Sequence, residues 1–160
     1  MDDIDRKILR ELAADGSLAN QDLAARVGLS PSPCLRRVRA LEAAGVIRGY
    51  CALIDGAALG TGFVAFVEVR LERQSEAFMQ RFEAMALSRG EVIDCAFVTG
   101  DCDYLLKIAV ADLEDYHRFL TQVLTRTEGV ANTRTLIPVK LIKEGGRQAG
   151  RRRGHGGVPA

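Results

Sequence analysis

Three arginines, Arg36, Arg37 and Arg39, fall within four positions of the stretch Ser30-Pro31-Ser32-Pro33-Cys34-Leu35-Arg36-Arg37-Val38-Arg39-Ala40-Leu41. The two serine-proline pairs suit a helix start, because serine caps free N–H groups and proline in the first turn has no N–H to leave unpaired. A step of about 100° per residue then gathers Cys34, Val38 and Leu41 on one side. Ser32, Arg36, Arg39 and Ala40 take the opposite side, with Leu35 and Arg37 at the edges. One side belongs to a core, and the other offers guanidinium groups to something anionic. A second chemical cluster is Gly100-Asp101-Cys102-Asp103. Its residue types are those of an ordinary hairpin turn, and they also supply two carboxylate acceptors beside exposed turn amides. Asp101-x-Asp103 has the look of a metal pair as well, but no further ligands converge on it in sequence, so no metal is expected.

The remaining reactive residue types form no set. The cysteines Cys34, Cys51, Cys95 and Cys102 include no C-x-x-C pair, and His117 and His155 neighbour none of them. Reduced thiols are expected, with redox sensing by one of them the alternative. The chain has no Ser/His/Asp or Cys/His arrangement and no phosphate-binding loop, so an enzyme is not expected, nor a cofactor. His117 lies between Tyr116 and Arg118 in a helical pattern, where a surface position accounts for it.

Net charge is only +1 over 160 residues, yet the charge is unevenly placed. Residues 1–56 carry eight basic and eight acidic side chains; the acids concentrate at residues 2–22, the bases at Arg36, Arg37, Arg39 and Arg48. Such polarity bears on phosphate binding more than the sum does. No apolar run approaches the roughly 18–20 residues that span a bilayer, and the acidic start does not resemble a signal peptide. A cytoplasmic protein without membrane contact is expected.

The elements that must position these residues follow from periodicity. Ile4, Ile8, Leu9 and Leu12 predict a helix over 3–14 that Gly16 ends. Asn20 is expected to cap a second helix with Leu23, Ala24 and Val27 on one side, stopped by Gly28. The proline-capped third helix follows at once and ends at Gly45, with a short extended piece at Val46–Tyr50. Three helices with a glycine turn between the second and third fit a helix-turn-helix, and equally a plain three-helix bundle. The small Ala24 and the arginine face favour the former.

Residues 50–62 read as a connector broken by Gly56, Gly60 and Gly62. From Phe63 the period becomes two: Phe63, Ala65, Val67, Val69 and Leu71 point one way, Val64, Phe66, Glu68 and Arg70 the other. Ser75 caps a helix carrying Phe78, Met79, Phe82 and Met85. Strands are expected at Val92–Thr99 and Asp103–Val110, then a helix capped by Asp112 and built on Leu113, Tyr116, Phe119, Leu120, Val123 and Leu124. A long strand over Val130–Ile142 closes the series, with Pro138 marking an edge or bulge. The fold class is therefore α+β: a helix-turn-helix, winged-helix-like domain (1–49), a linker (50–62), and a ferredoxin-like βαββαβ domain (63–143). One sheet face lacks helices, and Val64, Phe66, Leu105, Leu136 and Ile142 can all lie on it. That predicts a homodimer. The Gly/Arg-rich tail, 144–160, is expected to be disordered, with Arg147 and Arg151–Arg153 either adding non-specific phosphate affinity or merely solubilising.

Several stretches taken together resemble the Lrp/AsnC (feast/famine) family of transcription regulators. They are Ile4–Leu9, Leu23–Cys34, Arg36–Glu42, Gly45–Tyr50 and Val98–Leu106, in this order and spacing. The resemblance implies a DNA-binding helix-turn-helix, an oligomerising domain, dimers that join into octamers or similar assemblies, and small-molecule effectors, usually amino acids. Such effectors bind where dimers meet, around the turn between the second and third strands. Cys102 stands where the family commonly has an aromatic residue, and Gly90 and Glu128 replace prolines often seen before those strands.

On double-stranded DNA, Arg36 and Arg39 are then the candidates for base edges, since the recognition helix enters the major groove by its N-terminal part. Ser30, Ser32, Asn20 and Gln21 can bond phosphates, and Arg37 either contacts phosphate or folds back to an acid such as Glu42. For an amino-acid effector, Asp101 and Asp103 are acceptors for the ammonium, and the Gly100–Cys102 amides with Thr133 or Thr135 are donors for the carboxylate; Thr99 begins the same turn. Binding that tracks salt but ignores sequence is the mark of the alternative, an architectural protein without small-molecule control.

Overall fold

The first helix begins where Asp2 and Asp5 can satisfy each other's backbone. Asp2 Oδ1 accepts from the Asp5 N–H at 2.9 Å and Asp5 Oδ2 from the Asp2 N–H at 3.0 Å, a reciprocal capping box at the head of α1 (Asp3–Ala14). Asp15, not Gly16, closes the helix, and its carboxylate accepts from both the N–H and the hydroxyl of Ser17. α2 (Asn20–Val27) is stopped as expected by Gly28, whose φ of 75° is open to glycine at little cost. α3 (Pro31–Ala43) follows after Leu29 and Ser30. Ile8, Leu23, Ala24, Val27, Cys34, Val38 and Leu41 are all buried together, so the expected core side of α3 is the observed one.

Two expected caps are absent for a physical reason. Ser30 occupies the N-cap of α3 but its side chain makes no cap hydrogen bond. The third helical residue, from which a serine oxygen would accept, is Pro33, which has no N–H. Asn20 does not cap α2 either: Ala19 holds that place. Asn20 instead donates its amide to the Pro31 carbonyl at 2.8 Å, bracing the start of α2 against the start of α3. Among the described residues the piece Val46–Tyr50 pairs with no strand, and Tyr50 donates its hydroxyl to Glu42 at 2.8 Å.

The computed structural model describes residues 1–142; the basic tail at 144–160 lies outside them. The described chain divides into two units, Met1–Ala52 and Leu53–Leu141. Within the expected connector, 55–61 form a closed turn, tied by the Thr61 N–H to the Gly56 carbonyl at 2.7 Å.

The second unit follows the expected order: β1 (Phe63–Leu71), α4 (Glu76–Ser88), β2 (Val92–Phe97), β3 (Tyr104–Val110), α5 (Leu113–Phe119) and β4 (Val130–Leu136). The sheet is antiparallel in the order β2-β3-β1-β4, the ferredoxin-like arrangement. Register places Val67 opposite both Leu106 and Thr135, so one face is fixed along three strands. Ala65, Val67, Val69, Leu71, Tyr104, Leu106, Ile108 and Val110 bury that face beneath Phe82 of α4 and Tyr116 and Phe119 of α5. Ser75 and Asp112 cap these helices as expected, accepting from Phe78 and Asp115.

Two strands are shorter than their sequence suggests. β2 stops at Phe97, before Val98 and Thr99, and β4 stops at Leu136, before Pro138 removes a ladder donor. Ile142 is consequently outside any strand and does not contribute to the open sheet face. The last helix also changes pitch: after Phe119 the chain runs as a π-helical turn, Leu120–Leu124, which keeps Leu124 buried.

Gly129 enters β4 with a φ of 91°, and a Cβ there would lie 2.5 Å from Phe78 Cγ and 2.9 Å from its Cβ. Gly129→Ala is therefore expected to lower unfolding free energy by about 1–3 kcal/mol, through overpacking and backbone strain together. Chemical denaturation of the full chain checks this, and an unchanged midpoint would contradict the close approach.

Candidate nucleic-acid interface and candidate effector cavity

Arg36 and Arg39 are exposed on α3, opposite its buried Cys34–Val38–Leu41 side, and neither has an ion-pair partner among the described residues. Ser30, Ser32 and Gln21 are likewise exposed. With prolines at the first and third helical positions and Cys34 N–H bonded to the Ser30 carbonyl, Ser32 supplies the one free amide of this helix start. Asn20 is half-buried, and its Oδ1 has no hydrogen-bond partner. Its amide is turned to Pro31 rather than outward.

Arg37 behaves differently from its neighbours. Its Nη1 donates to Asp2 Oδ2 and Asp5 Oδ1, each at 2.8 Å, not to Glu42. The guanidinium thus joins the capping box of α1 to the middle of α3. The Asp5 N–H first, and Arg37 second, hold the Asp2 carboxyl below the ordinary aspartate range. The two carboxylates, Asp5 foremost, hold Arg37 above the ordinary arginine range. A carboxyl depressed in this way favours the folded form above its unfolded pKa, and the contribution fades as pH falls through the lower, folded value. This anchor is an acid-labile one.

On the other unit, the outward side chains of β1 and β4 and the β2–β3 loop enclose a small cavity of about 170 Å³. Glu68 and Arg70 come from β1, Asn132, Thr133 and Arg134 from β4, and Asp101 and Cys102 from the loop. Cross-strand register explains the grouping: Glu68 faces Arg134, and Arg70 faces Asn132. Arg134 meets Glu68 through two bonds, Nε to Oε2 at 2.6 Å and Nη2 to Oε1 at 2.7 Å. Glu68 holds Arg134 above the ordinary arginine range, with Asp101 adding a smaller attraction.

The expected effector residues divide. Asp101, Cys102 and Thr133 line the cavity. Thr99 and Gly100 are exposed in the same loop and do not line it; Gly100 has a φ of 131°. Asp103 is buried at 7% exposure and both its oxygens are taken. Oδ2 accepts from the Leu71 N–H at 2.7 Å and Oδ1 from the Gln74 amide at 2.6 Å, so it is a strut for the loop rather than a free acceptor. Thr135 faces the helices, where its hydroxyl meets the Tyr116 hydroxyl at 2.5 Å. Glu68, Arg70, Asn132 and Arg134 were not singled out by sequence as site residues. Their one signal is charged or polar residues at alternate positions of the two strands, on the face without helices.

Comparison with known proteins accounts for both units. Residues 1–48 match the family model described as winged helix-turn-helix DNA-binding, and residues 64–148 match the Lrp/AsnC ligand binding domain. The leucine-responsive regulatory protein of Rhizobium meliloti is 46% identical over 144 residues, covering 90% of this chain and 92% of that protein. Its counterpart in Salmonella typhimurium is 43% identical over 147 residues, covering 92% and 90%. Among solved structures, a Neisseria meningitidis transcriptional regulator in complex with L-Met aligns with a TM-score of 0.86 at 36% identity, covering 92% of this chain and 95% of that one. An AsnC family regulator from Agrobacterium tumefaciens aligns with a TM-score of 0.83 at 37% identity, covering 90% and 94%. These relatives are transcriptional regulators, not enzymes, and no helix among the described residues is long and apolar enough to cross a membrane. With a DNA-binding helix-turn-helix ahead of a ligand-binding ferredoxin-like domain, the chain belongs to the Lrp/AsnC family of transcriptional regulators.

Proposed function

We propose that this regulator reads a sequence-specific operator with Arg36 and Arg39 of α3 and answers to an amino acid held in the cavity at Asp101. The observation that carries the first half is the pair of exposed guanidiniums, unpartnered among the described residues, opposite the buried side of α3. Arginine meets guanine O6 and N7 bidentately in the major groove, while Ser30, Ser32 and Gln21 reach phosphates beside it. Arg37 and Asn20 hold the helices in place and leave the contact set. The second half is supported by the cavity's charges and by the L-Met carried by the Neisseria meningitidis relative.

The protein acts as a homodimer that assembles further, to octamers or a similar size. Val64 and Phe66 are half-buried on the sheet face without helices, where Leu105 and Leu136 remain 37% and 44% exposed. An apolar patch of that kind is better covered than solvated. The cavity opens on the same face, so a second subunit roofs it and the effector is held between subunits. The domains of this working unit are 1–49 and 63–143, joined through 50–62, and its place is the cytoplasm, at the nucleoid.

Selection of bound duplexes from a random pool, using the full chain at fixed salt, tests the reading. Enrichment of a roughly twofold-symmetric site, with half-sites one helical turn or a multiple apart, is the expected result. Binding that is salt-dependent and enriches no sequence would replace it with the architectural alternative.

A further inference from the structure

We infer that Leu35 reads a thymine in each half-site, packing its side chain on the 5-methyl group that the base presents in the major groove. The inference rests on the operator reading above and deepens it. Leu35 is the one large apolar side chain of α3 that stays exposed, at 37%, whereas Cys34, Val38 and Leu41 are buried. It takes no place in the core that those three form with Ile8, Leu23, Ala24 and Val27. Along the helix axis it stands between Ser32 and Arg39, three residues after the one and four before the other, the spacings at which helical side chains are neighbours. A lone exposed leucine on an arbitrary surface needs no explanation. This one lies in the first half of the helix that enters the groove, beside the two guanidiniums that meet base edges there.

Whatever faces Leu35 in the groove loses its water. Most of a base edge consists of ring nitrogens, carbonyl oxygens and amino groups, and a leucine set against these returns no hydrogen bond for the water it strips away. The thymine 5-methyl is the one hydrocarbon group that an unmodified base offers there. Against it the leucine buries apolar surface on both partners. Cytosine in the same place has no methyl and brings an amino group to be desolvated, so one side chain both favours thymine and disfavours its competitors. Side chains four residues apart on a helix are separated by about 5–6 Å, and bases along one strand by about 3.4 Å. The thymine therefore falls within about two base pairs of a guanine held by Arg39.

Fluorescence anisotropy titration of the full chain at fixed salt, on the operator obtained by duplex selection, tests the inference. Thymines at symmetric positions of the two half-sites are replaced in turn by deoxyuridine, which lacks only the methyl. At one such pair of positions the loss is expected to be about 3- to 5-fold per half-site, roughly 10- to 25-fold for both. Leu35→Ala should bind the thymine operator more weakly by a similar factor, keep its melting temperature, and tell thymine from uracil there by less than twofold. Leu35→Gln, which keeps a helix-forming stem, gives a second measure of the same difference. Unchanged affinity at every uracil position, with Arg36→Ala still weakening binding, overturns the role of Leu35 and leaves the operator reading standing. A thymine–uracil difference that persists in both Leu35 variants also overturns it, since another side chain then reads the methyl. Selection that enriches no sequence removes the operator reading and the thymine contact with it.

Discussion

Asp103→Ala is expected to lower the unfolding free energy by about 3–4 kcal/mol, more than any other single change in the β2–β3 loop. Hydrogen bonds to an ionised acceptor contribute about 1.5–3 kcal/mol each, and a buried donor left without an acceptor adds a penalty of its own. Here one carboxylate serves the Leu71 N–H and the Gln74 amide, and the residue's own backbone bonds Val69 and Val98. The Leu71 N–H needs that acceptor because the β1–β3 ladder ends at Val69 and Tyr104, two residues short of it. Asp103→Asn keeps a single side-chain acceptor and should lose about half as much. Urea denaturation of both variants, followed by circular dichroism, decides the matter. A loss under about 1 kcal/mol for alanine would return Asp103 to the effector-facing set.

For DNA, Arg36→Ala is expected to weaken operator binding by about 1–3 kcal/mol, roughly 5- to 150-fold, with the melting temperature unchanged. Arg36 is exposed and has no hydrogen-bond or ion-pair partner among the described residues, so its removal leaves the helix packing intact. Discrimination at one base position should relax at the same time, because the lost contact is to a base edge and not to phosphate. Band-shift titration at fixed salt on the selected operator and on single-base variants provides the check. Unchanged affinity would take Arg36 off the DNA.

Period made most of the fold legible in the sequence. Helical spacing identifies Cys34, Val38 and Leu41 as one buried side, and alternation from Phe63 to Leu71 identifies the face that the helices cover. Local caps at Ser75 and Asp112 were readable too, because donor and acceptor lie three residues apart. The failures share a different scale. Arg37 meets Asp5 across 32 residues and Arg134 meets Glu68 across 66, and no local pattern reports such pairs. Asn20 and Ser30 mislead because their residue types suit a cap, while the geometry offers Asn20 a carbonyl and Ser30 a proline with no N–H. The site was half legible for the same reason. The loop residues Asp101 and Cys102 stand in one short stretch, whereas Glu68, Arg70, Asn132 and Arg134 come together only through strand pairing.

The tie between Arg37 and the two aspartates bears on how this protein meets a polyanion crowded with condensed cations. DNA binding draws much of its strength from counterions freed as arginines and lysines replace them, about 0.9 of a cation per phosphate neutralised. Arg37 arrives with its charge already matched by Asp2 and Asp5, so it displaces nothing. For two modules, leaving Arg37 off the phosphates is expected to make the dependence of affinity on ionic strength gentler by about 1.8 in logarithmic slope than if each Arg37 neutralised one. A regulator built this way holds its operator through swings in cell salt that would strip a more heavily charged reader from it.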